Sequence, residues 1–389
     1  MASENVYVEH CKGVNGLDKV ILREIRGCSA EVSPLFPPIF RLRFLISSFL
    51  SLFSEPEVLR VMHLIIVFID LDIVIVNCLY NETVMIFSLV TTTQILSSFS
   101  FFPLKQVYLD GGQVTSWKNE FREQLLFLSS KATFKPPNAI RGGIQICFPQ
   151  FGTIGSLEQH GFARNRLWSV DRDPPPFPAN TSHRAFVDLI LRHSEEEVKI
   201  WPHRYECRLR VALGPGGDLM LTSRIRNTNT DGKSFTFTFA YHTYFSVTDI
   251  SEVRVEGLET LDYLDNLKNR ERFTEQGDAL TFESEVDKVY LSTPTKIAIL
   301  DHERKRTFVL RKDGLPDAVV WNPWDKKAKA MADFGDDEYK HMLCVTAACV
   351  EKPIILKPGE EWKGRLEISA VPSSYCSGQL DPRRIFLSN

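Results

Sequence analysis

The chain has 389 residues, of which 43% are hydrophobic and 24% charged, a composition typical of globular proteins. The formal charge of −3 and the pI near 6.3 argue against a nucleic-acid binder, which would carry a strongly basic face. Eight cysteines occur without a CxxC pair, which indicates free thiols rather than a disulfide framework or a zinc site. The N-terminal residues lack the apolar core of a signal peptide, so we expect a cytoplasmic protein.

The composition changes sharply near residue 32. Residues Val32–Gln106, called the insert below, number 75 and contain no glycine, nine charged residues and 10 of the 27 phenylalanines. Within the insert, 22 residues from Thr83 to Leu104 carry no charge, a length that could cross a bilayer. The serine and threonine content and the nearby acidic residues argue against a membrane anchor. A membrane anchor and a soluble insertion are two of the three interpretations of the insert.

We prefer the hypothesis that the insert is translated intron. The codon of Val32 begins with GT, as a splice donor does, and "SSFSFFPLKQ" can be encoded by a pyrimidine-rich tract ending in CAG. Removal of the insert keeps the reading frame and places Ala30, Val107 and Leu109 at alternate positions of one strand. This hypothesis predicts a single domain formed by residues 1–31 and 107–375, followed by a C-terminal tail over 376–389.

The rest of the chain consists of short apolar segments separated by Gly, Pro, Asn and Asp. Examples are "VYLDGGQVTSW", "ECRLRVAL", "FTFTFAYHTYF" and "GRLEISAV". Segments of this kind, with little helical periodicity, predict an all-β protein built as a large antiparallel β-sandwich. We predict one amphipathic helical turn near Tyr263 to Phe273.

The segment "DGKSFTFTFAYHTYFSV", residues 231–247, contains a histidine within an aromatic strand. Side chains alternate between the two faces of a strand, so four aromatic residues should point into the core. These are Phe235, Phe237, Phe239 and Tyr241. His242 shares the opposite face with small and hydroxyl side chains, where it could line a polar pocket or be a hydrogen-bonded structural residue.

Three further segments contain residue types suited to ligand binding. "NAIRGGIQICFPQFG" places Arg141 before two glycines, which let a backbone approach a ligand closely. "LEQHGFARNRLW" contains Gln159, His160, Arg164 and Arg166, and "GLPDAVVWNPW" places Asp317 at the start of a strand. Each segment also has a structural alternative, namely a glycine turn, a solvated polar loop and a strand cap.

These segments occur together in the order found in aldose 1-epimerases, and most resemble the glucose-6-phosphate 1-epimerase branch. The resemblance also includes "LKPGEEWKGRLEIS" and covers essentially all of the chain outside the insert. It implies a galactose-mutarotase-like supersandwich that interconverts the α and β anomers of a hexose 6-phosphate. It implies no metal and no cofactor, a small-molecule hexose phosphate as the partner, no nucleic acid, and a monomer.

The resemblance also assigns roles to individual residues. His242 matches the general acid that protonates the ring oxygen while a base takes the proton of the C1 hydroxyl. The substrate-binding positions by resemblance are Arg141, Gln159, His160, Arg164 and Asp317.

Two positions depart from the pattern of the family. The glutamate that acts as the base follows a Cys-Val pair, where this chain has Thr346, and a threonine hydroxyl is no base at neutral pH. Losing a general base removes a factor of about 10² to 10⁴ in rate. Glu351 lies an odd number of positions further on, which predicts the opposite strand face. Gln145 stands where related sequences usually carry proline.

Because the general base is missing at Thr346, the second interpretation of the chain is a non-catalytic protein that binds a sugar phosphate.

Overall fold

The computed structural model describes residues 6–24, 104–119, 121–174 and 185–373, together with three strands between residues 65 and 88. The chain divides into two compact units, one formed by Met1–Gly27 and Phe102–Asn389 and the other by Cys28–Phe101. The tail over 376–389 and most of the insert lie outside the described residues. Among the residues that are described, no helix has the length and apolar character needed to span a membrane.

Strands dominate the described chain, with two short α-helices. In chain order the strands are β1 (Val6–Lys12), β2 (Asp18–Glu24), β3 (Ile65–Phe68), β4 (Val74–Tyr80), β5 (Thr83–Ser88), β6 (Leu104–Tyr108), β7 (Gln113–Lys118), β8 (Ile144–Cys147), β9 (Ser169–Val170), β10 (Phe186–Arg192), β11 (Tyr205–Leu213), β12 (Leu219–Asn227), β13 (Phe235–Ser246), β14 (Val253–Glu256), β15 (Asp262–Asp265), β16 (Glu271–Thr274), β17 (Val286–Tyr290), β18 (Lys296–Asp301), β19 (Arg306–Asp313), β20 (Asp317–Asn322), β21 (Met342–Leu356) and β22 (Glu361–Pro372). The helices are α1 (Glu195–Ile200) and α2 (Trp324–Ala330).

The larger unit contains two antiparallel sheets. The first has 11 strands in the order β1-β2-β6-β7-β8-β13-β21-β20-β17-β15-β16, and the second has eight in the order β14-β18-β19-β22-β12-β11-β10-β9. The other unit contains a three-stranded antiparallel sheet, β3-β4-β5. The prediction of an all-β antiparallel sandwich is confirmed.

The core lies between the two large sheets. Phe239 and Tyr241 of β13 have no exposed surface and belong to one apolar cluster with Leu209 and Leu221 of the opposite sheet. The Tyr241 hydroxyl crosses the core and donates 2.8 Å to Ser223 Oγ on β12. The predicted inward face of β13 is therefore the core face. His242 lies on the other face of the first sheet.

The helical turn predicted near Tyr263 to Phe273 is present only as a 3₁₀ helix over Asn266–Lys268, and strands lie on both sides of it. This region forms β15, a short 3₁₀ turn and β16, which pair with each other as a hairpin. Asn269 and Arg270 have φ angles of 54° and 62°, values that a right-handed helix does not allow. "VYLDGGQVTSW" likewise forms a hairpin, β6 and β7, because Gly111 and Gly112 turn the chain at φ 75° and 57°.

We expect a chain lacking Val32–Gln106 to keep both large sheets. β6 pairs with β2, and Lys105 lies opposite Leu22, a core residue with no exposed surface. The shortened chain would place Ala30 opposite Leu22, and the shorter connection would reduce the entropic cost of closing the loop by about 2–3 kcal/mol. The urea midpoint of the shortened chain should equal or exceed that of the full chain. Loss of cooperative unfolding on deletion would contradict this expectation.

Candidate functional site

Four neighbouring strands, β8, β13, β21 and β20, hold the candidate site on the face of the first sheet turned away from the core. Pairing of β8 with β13 places Gln145 opposite His242, and pairing of β21 with β20 places Thr346 opposite Val319. His242 and Thr346 contact each other across β13 and β21, with 3.0 Å between Nδ1 and Oγ1. The sheet register therefore brings the predicted acid and the predicted base position together.

A chain of hydrogen bonds runs from Arg141 to Thr346. Arg141 Nη1 donates 3.2 Å to the Tyr244 hydroxyl, which lies 3.0 Å from His242 Nε2. Arginine only donates, and the Tyr244 side chain has no exposed surface, so its own proton goes to His242 Nε2. Neutral His242 then carries its proton on Nδ1 and donates it to Thr346. In this arrangement both imidazole nitrogens have protein partners.

Both histidines of the site are held neutral. Burial lowers the pKa of His242 well below its ordinary value of 6.5, and His160, Arg164 and Arg141 lower it further. Burial, with Arg164 and Arg141, lowers the pKa of His160 to about 3. The His160 ring stacks on His242 with 5.2 Å between centroids, and Thr346 has no exposed surface beneath them. His160 therefore lies next to His242, where it can contact a ligand that reaches the imidazole.

Arg141 forms an ion pair that sequence reasoning did not find. Its Nε and Nη2 donate 3.1 and 3.2 Å to the two carboxylate oxygens of Asp333. Burial alone would lower the pKa of Arg141, but Tyr244 and Asp333 outweigh burial and raise it. Asp333 follows α2 and is 192 positions from Arg141, a separation that leaves no local sequence signal for the pair.

A cavity of about 550 Å³ opens beside these residues. Its lining includes Arg141, Gln145, Arg164, Arg166 and Asp333, but not His242 or Asp317. The volume falls within the range of about 300–1,000 Å³ typical of small-molecule sites. The arginines therefore line the cavity, whereas His242 lies outside its lining and is connected to Arg141 through the Tyr244 hydroxyl.

Arg164 is oriented by uncharged oxygen atoms. Its Nη1 donates 2.9 Å to Gln145 Oε1, and its Nη2 donates 2.8 Å to the backbone carbonyl of Gln159. Gln145 is 1% exposed, and its amide nitrogen donates 2.8 Å to the carbonyl of Ile140, next to Arg141. Gln159 therefore meets Arg164 through its backbone, and Gln145 connects the segments that carry the two arginines.

Asp317 anchors backbone rather than facing the cavity. Its Oδ2 accepts bonds of 2.9 Å from the amides of Val350 and Glu351, and its Oδ1 accepts one of 3.3 Å from Ser292. The pairing of β13 with β21 is irregular here, because Phe237 and Phe239 lie opposite residues five positions apart. Asp317 stabilises this bulge of β21. A contact between Asp317 and sugar hydroxyls stays a prediction.

Glu351 lies in the same bulge. Among the described contacts, no hydrogen bond or ion pair joins its carboxylate to His242 or Thr346, and it does not line the cavity. The structure therefore offers no contact through which Glu351 would replace the missing glutamate.

The two glycines after Arg141 allow close approach to the protein's own strands. Gly142 and Gly143 have φ angles of 126° and 63°. A Cβ at Gly143 would clash with the carbonyl oxygen of Val114, and one at Gly142 would lie 2.5 Å from the carbonyl oxygen of Phe127. The glycine pair thus packs the Arg141 segment against its neighbours, although the sequence suggested approach to a ligand.

Comparison with known proteins identifies the family. The aldose 1-epimerase family model matches residues 105–369. The chain belongs to the aldose 1-epimerase family. A relative from Cenchrus ciliaris is 77% identical over 280 residues, which is 72% of this chain and 85% of the relative. A relative from Escherichia coli K12 is 32% identical over 247 residues, 62% of this chain and 78% of the relative. Both are provisionally named glucose-6-phosphate 1-epimerase.

Solved structures support the same fold. A crystal structure from Salmonella typhimurium, provisionally titled a mutarotase, has a TM-score of 0.61 and 23% identity, and the match covers 84% of this chain and 99% of that one. A galactose mutarotase related enzyme from Lactobacillus acidophilus has a TM-score of 0.55 and 16% identity, with coverage of 70% and 96%. The expectation of a galactose-mutarotase-like fold is confirmed.

The buried His242 should make the protein less stable in acid. Its pKa is lower in the folded state than the ordinary 6.5, so the unfolded state binds the proton at higher pH. Stability from His242 is thus largely present above about pH 6.5 and falls as the pH decreases, by at most about 2 kcal/mol between pH 7 and pH 5. Urea unfolding at both pH values measures this loss, which His242→Gln should reduce by that amount. An equal loss in both proteins would contradict it.

Proposed function

We propose that the cavity binds a hexose 6-phosphate and that His242 takes part in opening and closing its ring, at a rate limited by the missing base at Thr346. The family, the names of the relatives and the three cavity arginines support this substrate class. The observation that carries the proposal is the 3.0 Å contact of His242 with Thr346 beside an arginine-lined cavity.

The phosphate group fits best at Arg164. Two of the three arginines around the cavity have carboxylate partners, because Arg141 pairs with Asp333 and Arg166 with Glu197 at 2.8 Å. Within the described part of the chain, Arg164 forms no ion pair, and its buried Nε has no hydrogen-bond acceptor. A guanidinium in this state suits a dianionic phosphate. The sugar hydroxyls would then face Arg141 and Asp333.

Thr346 weakens both halves of the acid-base reaction. Its hydroxyl cannot accept the proton of the C1 hydroxyl at neutral pH. A carboxylate at this position would also favour the protonated form of His242, which burial and two arginines otherwise suppress. Threonine in place of glutamate at position 346 therefore removes the general base and lowers the fraction of His242 that is protonated.

The alternative function is binding of the sugar phosphate without catalysis. The observation that favours it is Thr346, which removes the general base but leaves the residues proposed to bind the sugar phosphate in place. Comparison of the natural chain with a variant that has a carboxylate at position 346 separates the two functions.

We expect Thr346→Glu to increase anomer exchange of glucose 6-phosphate by about 10²-fold or more, because it supplies a general base. Exchange NMR of the two C1 protons measures the rate against the spontaneous reaction. Thr346→Gln is the matched control, since it has the same size without the charge, and it should give no increase.

Three outcomes distinguish the hypotheses. If only Thr346→Glu exceeds the spontaneous rate, the natural chain acts as a binding protein. If both chains exceed it and the variant is faster, the proposal of a weakened epimerase is supported. Equal strong activity in both would show that another group supplies the base.

The cellular setting belongs to the same proposal. Five described cysteines, at positions 11, 147, 207, 344 and 349, are free thiols, which supports a reducing compartment such as the cytoplasm.

A further inference from the structure

Gln145 is part of the cavity wall. It lies opposite His242 on β8, is 1% exposed, and makes side-chain hydrogen bonds with both ends of its amide. The oxygen accepts from Arg164 at 2.9 Å, and the nitrogen donates to the carbonyl of Ile140 at 2.8 Å. Each amide atom thus fixes a different segment of the site.

The amide oxygen orients Arg164 without a negative charge. A carboxylate at the same place would form an ion pair in a largely desolvated position and compensate the guanidinium charge. Glu158 also lines the cavity, but its carboxylate accepts 3.0 Å from Asn165 and is beyond ion-pair distance of Arg164. The cation therefore remains available to an anion that enters the cavity.

We propose that Gln145 is a positioning residue that makes the site selective for phosphorylated over unphosphorylated hexoses. Its neutral carboxamide holds Arg164 in the cavity wall and leaves the charge of the guanidinium for the phosphate. This inference rests on the proposed function, because it assumes that a hexose 6-phosphate enters the cavity.

Gln113 provides a matched control. It is also a buried glutamine with 1% exposure, and its amide nitrogen donates 2.7 Å to the same Ile140 carbonyl and 2.6 Å to that of Gly142. It has no hydrogen bond with Arg164 among the described contacts. Replacement of Gln113 therefore tests anchoring of the Arg141 segment separately from orientation of Arg164.

The experiment measures binding of glucose 6-phosphate and of glucose by NMR titration of the full chain at low and high salt. Gln145→Glu should weaken binding of glucose 6-phosphate by about tenfold, reduce its salt dependence and leave glucose binding unchanged. Gln145→Met, similar in size but without the amide, should weaken it by about threefold. Gln113→Met should keep the ratio of the two affinities, and thermal unfolding checks that each variant is folded.

Failure of the inference differs from failure of the proposed function. If the natural chain binds glucose 6-phosphate no better than glucose, the proposed function and the role of Gln145 are both wrong. If the natural chain prefers glucose 6-phosphate and folded Gln145→Glu and Gln145→Met keep that preference, only the role of Gln145 is wrong. Should Gln145→Glu fail to fold, Gln145→Met decides alone.

Discussion

The alternation of side chains along β13 is the constraint on which both the core and the site depend. Phe239 and Tyr241 fill the space between the sheets, and His242, the next residue, emerges on the opposite face. A slip of one residue would bury the histidine in the core and expose the aromatic rings. The Tyr241 hydroxyl prevents such a slip, because it bonds Ser223 and the carbonyl of Gly364 in the other sheet. The core thereby fixes where the imidazole points.

The sequence was sufficient for the parts of the fold that follow from local pattern. Short apolar segments with little helical periodicity predicted the antiparallel sandwich, and the face of His242 followed from its position among aromatic neighbours. The hairpin at β15 and β16 was missed because the conformations of Asn269 and Arg270 are set by strand pairing rather than by hydrophobic periodicity. The glycines beside Arg141 were predicted to approach a ligand, whereas they pack against backbone near Val114 and Phe127, residues that are not adjacent to them in sequence.

The candidate site was predictable only in its individual residues. Motif resemblance selected His242, Arg141 and Arg164, but not the partners that set their charge. Asp333 and Tyr244 act through tertiary contacts, and Tyr244 in particular appears in the sequence as one more aromatic of the strand. Thr346 was recognised as a departure from the family, yet its hydrogen bond to His242 emerges only from the pairing of β13 with β21.

The pairing of β2 with β6 bears on how this gene can change. The two strands are antiparallel neighbours, so the end of β2 lies next to the start of β6. A short connection could join them as well as a long one. Loop entropy rises only with the logarithm of length, about 0.6 kcal/mol for each doubling. A connection of this length therefore costs the fold only a few kcal/mol more than a short turn would. An added segment can be accommodated at such a position, whereas one within β13 or β21 would interrupt the strand pairing that brings His242 next to Thr346.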